Sequence, residues 1–458
     1  MPTNIVWLRQ DLRLSDQAAF AAAAARGAVI PVYILDDDMP GPRFRIGGAQ
    51  RWWLHHSLAS LDRDLQARGS RLVLRRGPAV AVLRQLLEEA GADAIHAIGH
   101  HEPWWVETER QLADRLILHD GNSLAPLRDV TTGSGQFFKI YSPFWRALQQ
   151  HLPPPAPLAA PAELQPPAKW PASDRLEDWS LLPTRPDWAT GFDWCVGEAA
   201  ARDTVERFAA QVGAYQEQRD LPAEEGTSRL SPHLHFGEIS PASVWHGVRG
   251  QAAADKFSKE MAWRDFTSGT IRARPDLASA HGRDAFDSFP WRTGPGAEAD
   301  LKAWQQGRTG YPIVDAGMRQ LWVTGWMHNR VRMIAASFLV KHLLIDWRHG
   351  WDWFWDTLVD ADYGNNSHNW QWVAGTGVDA SPFFRVMAPL VQSEKFGAGD
   401  YIRRWVPELR HVPDPAIHDP EAAGVRPAGY PPKIIGHREG RERALAALRS
   451  IKGGQTAA

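Results

Sequence analysis

The chain has 458 residues, 44 % of them hydrophobic and 23 % charged, with a formal net charge of −2. That length exceeds what one hydrophobic core usually serves, so two domains are expected, and near-neutrality excludes a coat over nucleic acid while leaving room for a local basic patch. A single cysteine, Cys195, excludes an internal disulfide framework and fits a reducing compartment, and no apolar run of about 18 residues predicts a membrane span.

Residues 4–9 (NIVWLR) read as a strand. Residues 18–25 (AAFAAAAA) read as a helix and not a leader, because alanine is weakly apolar and no acid-free basic run precedes it. A strand at 28–35, a helix over 48–68, a strand at 71–75, a helix ending near 90 and a strand at 93–99 follow. This alternation is the pattern of a parallel sheet with crossover helices, so 1–130 is expected to form an α/β, Rossmann-like domain. Prolines crowd 152–190 and forbid a helix or central strand there, so 131–200 reads as an interdomain linker. Helical spacing dominates 201–458, an all-helical second domain, with only GGQTAA at 453–458 resembling a low-complexity tail.

P-loop, HExxH and CxxC motifs are absent, and TGSGQ at 132–136 is a weak glycine pattern. The stretch 326–348, free of Pro and Gly, predicts one long helix. Asn329, Met333, Ala336, Val340, Leu344 and Trp347 would share an inward stripe on it, its ends about 27 Å apart. Asn329, Arg330, Arg332 and Met333 are costly to bury without a polar ligand. Glu260, Trp263 and Arg264 stand at i, i+3 and i+4, which also suits an ordinary Glu to Arg pair within the helix. Thr227, Ser228, Arg229 and Ser231 offer donors suited to a phosphate at a loop-to-helix junction, where simple helix capping is the plainer reading. NNSHNWQW (365–372) sets amides against indoles just after Asp360 and Asp362, in a chain with 23 tryptophans.

TSRLSPHLHFG, EMAWRDF, WQQGRTGYPIVDAGMRQL, TGWMHNRVRMIAASFLVKHLLIDWR and DADYGNNSHNWQWVAGTGVDASPFFR resemble the DNA photolyase and cryptochrome family in order and spacing, and VWLRQDLRLSDQAA looks like its amino-terminal signature. The likeness covers nearly the whole chain and is greatest to bacterial class I-type cyclobutane pyrimidine dimer photolyases. It implies an α/β antenna domain and an all-helical domain that binds a folded FAD and DNA. Positions matching the family's FAD contacts are Tyr215, Thr227, Ser228, Arg229, Leu230 and Ser231 around the phosphates and ribityl chain, with Trp263, Arg264 and Asn329. Arg332 and Asp360 match an ion pair beside the isoalloxazine, Asp362 a partner of the ring, and Asn366 the amide that faces flavin N5. Trp370, Trp347 and Trp304 match the family's row of tryptophans from flavin to surface; Trp351, Trp353 and Trp355 fit none of these. Arg219, Glu260, Trp263, Asn329, Arg330, Met333 and Trp372 match the lining of the dimer cavity, with Glu260 and Asn329 on base edges and Arg330 on a phosphate.

The implied activity is light-driven repair of dimers in ultraviolet-damaged DNA by one electron from reduced FAD, the lesion being flipped out of the duplex as is general for such enzymes. A monomer in the bacterial cytoplasm, associated with the nucleoid, is implied with it. A second, antenna chromophore (folate, deazaflavin or flavin) is expected, with Arg9, Tyr33, Asp36 and Arg51 as lining candidates. The alternatives are a cryptochrome-type photoreceptor and repair of the (6-4) photoproduct. The latter chemistry uses paired histidines in the family, where this chain has Asn329 and Met333. The segment after WRDF, 267–282, and Phe257 depart from the usual pattern at the rim of the lesion pocket.

Overall fold

The computed structural model describes residues 2–251 and 254–453, so the last five residues of the predicted tail lie outside the described residues. Five parallel strands form one sheet in the order β3-β2-β1-β4-β5. They are β1 (Thr3–Leu8), β2 (Ala28–Leu35), β3 (Val73–Arg76), β4 (Ala94–Ile98) and β5 (Leu116–His119), with α1 (Ala18–Ala24), α2 (Gly48–Gln66), α3 (Ala79–Ala90) and α4 (Pro103–Gln111) as crossovers. Side chains alternate across β1: Ile5 and Trp7 pack with Ile30, Val32, Leu83 and Leu86, while Val6 and Leu8 pack with Phe20, Trp53, Leu54 and Leu58 on the other face. The expected α/β unit is therefore present. β5 was not predicted, because a four-residue edge strand pairs on one side only and is too short to show a period.

Two expectations are corrected. The proposed linker 131–200 begins with a helix, Tyr141–Leu148. Its apolar residues at three- and four-residue spacing dock on the Ala254–Ala273 helix, with Phe144 and Phe266 ring centroids 5.4 Å apart. Only the proline-rich part beyond it behaves as a connector, wrapping the α/β unit with one 3-10 turn, Leu176–Trp179, that buries Trp179. The long helix expected over 326–348 is two helices, Asn329–Ser337 and Trp347–Thr357, separated by a π turn, Phe338–His342, and by Leu344 at φ +54°. Local caps break it without Pro or Gly: His328 Nδ1 accepts from Arg330 N (3.2 Å), and the Asp346 carboxylate accepts from Arg348 N (2.9 Å). Asn329 and Trp347 thus lie on different helices, and Asn329 is exposed and not part of an inward stripe.

The helical part buries a core that includes Trp304, Trp347, Trp351 and Trp370. It meets the α/β unit along a seam built from backbone. Leu12 N donates to Phe236 O (3.0 Å), and buried Arg13 donates to Gly237 O (3.0 Å). The Glu198 carboxylate accepts from Leu14 N and Ser15 N. Gly237 has φ +63°, and a Cβ there would fall 2.1 Å from Gln10 O. Replacing Gly237 with Ala should therefore cost about 3 kcal/mol, from left-handed strain and overlap at the seam together, read as a lower unfolding midpoint of the holoprotein. Among the described residues no helix is long and apolar enough to cross a membrane.

Candidate functional site

The Tyr363–Ala374 helix packs on the Ala254–Ala273 and Asn329–Ser337 helices, His235 of the Ser231–His235 helix lies 4.0 Å from Asp362, and beside them the 220–230 loop lines a polar hollow. Arg332 closes one wall. Its two terminal nitrogens donate to both oxygens of buried Asp360 (3.0 and 2.8 Å), and its Nε donates to Met327 O (2.7 Å). The planar fork suits this bidentate geometry and is held in one orientation by the third bond. Asp362 caps the Tyr363–Ala374 helix, accepting from Asn365 N at 2.6 Å, which fixes the register of everything after it. One turn on, Asn366 is buried and donates its amide to Trp351 O (3.2 Å), leaving its carbonyl oxygen as the uncommitted atom.

Arg229 Nε and His328 Nε2, which line the hollow, and His235 Nδ1, His368 Nε2 and Trp370 Nε1 on the neighbouring helices have no hydrogen-bond partner among the described residues. Burial holds His235, His328 and His368 at pKa values of about 4, so these imidazoles are neutral. A buried polar atom without a partner is costly, so the two that line the hollow suit a polar ligand. A cavity of about 150 Å³ opens beside Thr227, Arg229, Trp326 and His328 at one end. The donor set, an ion pair, a neutral amide and cations toward the phosphate end, fits a flavin dinucleotide.

The structure distributes the expected cofactor residues unevenly. Arg229, at φ +52°, lies over the Trp326 ring at 5.0 Å and donates to Glu225 (3.4 Å), while Ser228 Oγ accepts from Leu230 N (3.3 Å). Leu230 is buried, Thr227 half-buried and Ser231 exposed. Tyr215 is buried beneath Arg219, edge-on to Phe257, so Phe257 serves as core. Arg264 is committed to the carbonyls of Leu234 (3.1 Å) and Asn122 (3.5 Å), a bracing role and not the ordinary intrahelical pair with Glu260 that the spacing also allowed.

Glu260 instead faces Arg219 and Lys256 (3.4 Å). Trp263 stacks on Tyr141, centroids 3.8 Å apart at 5°, which holds its indole in one orientation. Arg330 packs over Phe396 at 4.6 Å and sits 3.9 Å from the Met333 sulfur. Trp372 is half-buried against the helical core. Arg330, Arg332 and Met333 are likewise half-buried, correcting the expectation of full burial. Sequence reasoning missed Asp220, 2.7 Å from Arg330, although it directly follows Arg219. The divergent segment 267–282 is pinned to the Tyr363–Ala374 helix: Gln371 donates to Leu277 O and Ala280 O and accepts from Gly282 N.

Trp370 and Trp304 approach to 6.3 Å, with Phe354 5.0 Å from the first and 6.1 Å from the second. The Trp370 indole lies on Gly350, where a Cβ would be 2.1 Å from the ring. Trp347 sits elsewhere, beside His281 (6.2 Å) and under Arg348 (5.0 Å). Trp304 and Trp347 are both fully enclosed, so the row as read does not reach solvent. The other tryptophans divide: Trp351 and Trp355 stack at 5.0 Å in the seam, and Trp353 stacks at 5.9 Å on Trp322, which is 51 % exposed.

The four antenna candidates are used by the fold itself. Arg9 is buried against Glu109 and Ile98 O, Tyr33 packs on Trp179, Asp36 accepts from Ala79 N and Met39 N, and Arg51 pairs with Asp37 (2.5 Å). An open groove of about 670 Å³ near Trp52, Arg63, Arg71 and Trp194 involves none of them. Between the sheet and the hollow, burial and then the charge of Asp362 push the Glu102 carboxyl up to about 7.

An α/β unit carrying a helical body with such a hollow defines a two-part flavin-binding architecture. Residues 4–162 match the DNA photolyase family model, and 257–450 match the FAD binding domain of DNA photolyase. The chain is 48 % identical to a deoxyribodipyrimidine photo-lyase of Agrobacterium fabrum, covering 98 % of each. The crystal structure of a bacterial class III photolyase from Agrobacterium tumefaciens aligns with a TM-score of 0.93 at 47 % identity, over 99 % of this chain and 98 % of that one. An archaeal photolyase from Sulfolobus tokodaii with two FAD molecules aligns with a TM-score of 0.83 at 30 % identity, over 98 % and 100 %. The chain belongs to the DNA photolyase family, and its helical part contains that family's FAD-binding domain. The sequence reading placed it nearest class I-type enzymes, whereas the Agrobacterium tumefaciens structure carries the class III description.

Glu102 has a folded pKa above its unfolded value of 4.5, so its contribution to stability is complete below that value and is lost as pH rises through about 7. Glu102→Gln should therefore be more stable than the parent at pH 8, by roughly 3 kcal/mol, and nearly equal to it at pH 4.5. Parallel denaturant titrations at the two pH values check this.

Proposed function

We propose that this protein repairs cyclobutane pyrimidine dimers in ultraviolet-damaged DNA when illuminated. What supports the reading is a chain of contacts: Arg332, paired with Asp360, shares a helix with Arg330, Asp220 links Arg330 to Arg219 and so to Glu260, and Trp263 lies 5.9 Å from His368 on the helix of Asn366. Arg332, Asp360, Asp362 and Asn366 would hold FAD, which in its reduced form would supply single-electron chemistry under blue light. The deoxyribodipyrimidine photo-lyase relatives support the same substrate class.

The protein's own groups position and insulate. Arg332 and Asp360 together carry no net charge, so they offer the ring polar contacts without an uncompensated ion. Asn366, its NH₂ held by Trp351 O, presents a carbonyl oxygen able to accept from a ring N–H. Trp263, braced by Tyr141, and Trp372 form the apolar wall for flipped bases. Glu260, an ion-paired carboxylate, accepts from an imide N–H of the dimer and orients it. Asn329, exposed at the first turn of its helix, reaches a base edge. Arg219 and Arg330 lie where backbone phosphates pass and offer guanidinium donors to them in a nearly neutral chain.

Trp370, one turn after Asn366 on the same helix, is the proposed entry point for electrons that reduce oxidised FAD. Trp304 is the next ring. The Sulfolobus tokodaii photolyase with two FAD molecules supports a second chromophore here as well. The protein works as a monomer on nucleoid DNA in the cytoplasm.

Thymine dimers in irradiated DNA should disappear under blue light with the reduced protein and persist in darkness. Persistence in both conditions favours a photoreceptor, and loss in darkness removes photochemistry from the account. Glu260→Ala should retain FAD and lower the repair yield by about two- to tenfold, the effect of one charge-assisted hydrogen bond. Trp370→Phe should abolish photoreduction of oxidised flavin yet leave repair by prereduced protein intact, as followed by flavin absorption.

A further inference from the structure

Asp220 lies between the two arginines of the cavity mouth. One oxygen is 2.7 Å from Arg330 Nη2 and the other 3.7 Å from Arg219 Nε. The guanidiniums come from separate segments, the turn after Tyr215–Gln218 and the Asn329–Ser337 helix, and only Asp220 bridges them among the contacts here. The remaining faces of both arginines are occupied: Arg219 by Glu260 and the Tyr215 ring, Arg330 by Met333 and Phe396. Asp220 is also the most solvent-accessible of the three, its side chain 35 % exposed against 14 % for Arg219 and 19 % for Arg330. Two anionic oxygens set between two guanidinium forks reproduce the valence of a phosphodiester.

We propose that Asp220 is an anionic placeholder, occupying the seat that a DNA backbone phosphate takes when the lesion enters. This rests on the reading of the hollow as a DNA-lesion site. Docking is then an exchange of one anion for another. Arg219 and Arg330 stay oriented and dry before DNA arrives, and their charges are masked from passing duplex. The exchange has a thermodynamic signature. An arginine that greets a phosphate from solution releases counterions and steepens the salt dependence, by about 0.9 in log–log slope per phosphate, whereas an arginine already paired with a carboxylate does not.

The test uses full-length FAD-bound protein in the dark, with dye-labelled duplexes carrying one thymine dimer or none, titrated by fluorescence anisotropy across a salt series. For the dimer duplex, Asp220→Asn should tighten binding about three- to tenfold at low salt, the scale of one partly exposed ion pair, and should steepen the slope by about 0.9. Asp220→Glu, which restores the anion, should return both quantities toward the parent. Weaker binding by Asp220→Asn, or an unchanged slope, overturns the placeholder and assigns Asp220 to holding the arginines in shape. If the parent protein does not prefer the dimer duplex, the lesion-site reading falls and the placeholder with it. If that preference holds while Asp220→Asn leaves the slope unchanged, the placeholder alone falls.

Discussion

Arg332 and Asp360 hold each other through two hydrogen bonds, with the carboxylate almost out of water, and the site is arranged around that pair. It ties the Asn329–Ser337 helix to the turn that starts the Tyr363–Ala374 helix. Removing either partner leaves a charge at a partly dry position without its counter-ion, a much larger penalty than losing the pair as a whole. Because Asp360 is anchored, Asp362 reaches its capping position two residues later. Asn366 and Trp370 then face inward one and two turns further along.

Support comes from the α/β unit. In open parallel sheets, ligands usually occupy the crevice at the carboxyl ends of the strands. Here that edge is filled by the Arg9–Glu109 pair and by Asp11, His100 and Glu102, and the helical part sits against it. The edge has become a buried polar joint, which is why Glu102 senses Asp362. Backbone approach at Gly237 and the bonds of Arg13 and Glu198 keep the joint closed.

Tryptophan serves several ends in this chain. Trp53, Trp179 and Trp351 are core, and Trp355 anchors the seam by donating to Arg45 O. Trp263 is braced by stacking on Tyr141. Trp370 and Trp304 form a close buried pair whose geometry depends on Gly350 having no side chain. The large apolar area and single N–H of indole let one residue type fill volume and bind a carbonyl at the same position.

The strands β1 to β4, the crossover helices α1 to α3 and the mainly helical remainder follow from local periodicity, which depends on neighbours three, four or two residues away and so is written along the chain. The residue types of the site were equally legible, since long motifs carry them in order. Other features were decided only in three dimensions. The helix expected over 326–348 is cut by caps at His328 and Asp346 that look like ordinary polar residues. Glu260 chose Arg219, 41 residues distant, over Arg264 on its own face. Asp220 acquired its importance from Arg330, and Arg9, Tyr33, Asp36 and Arg51 were spent on internal contacts. Pairing of charges across distant segments depends on where whole helices come to rest against one another, and no local pattern encodes that.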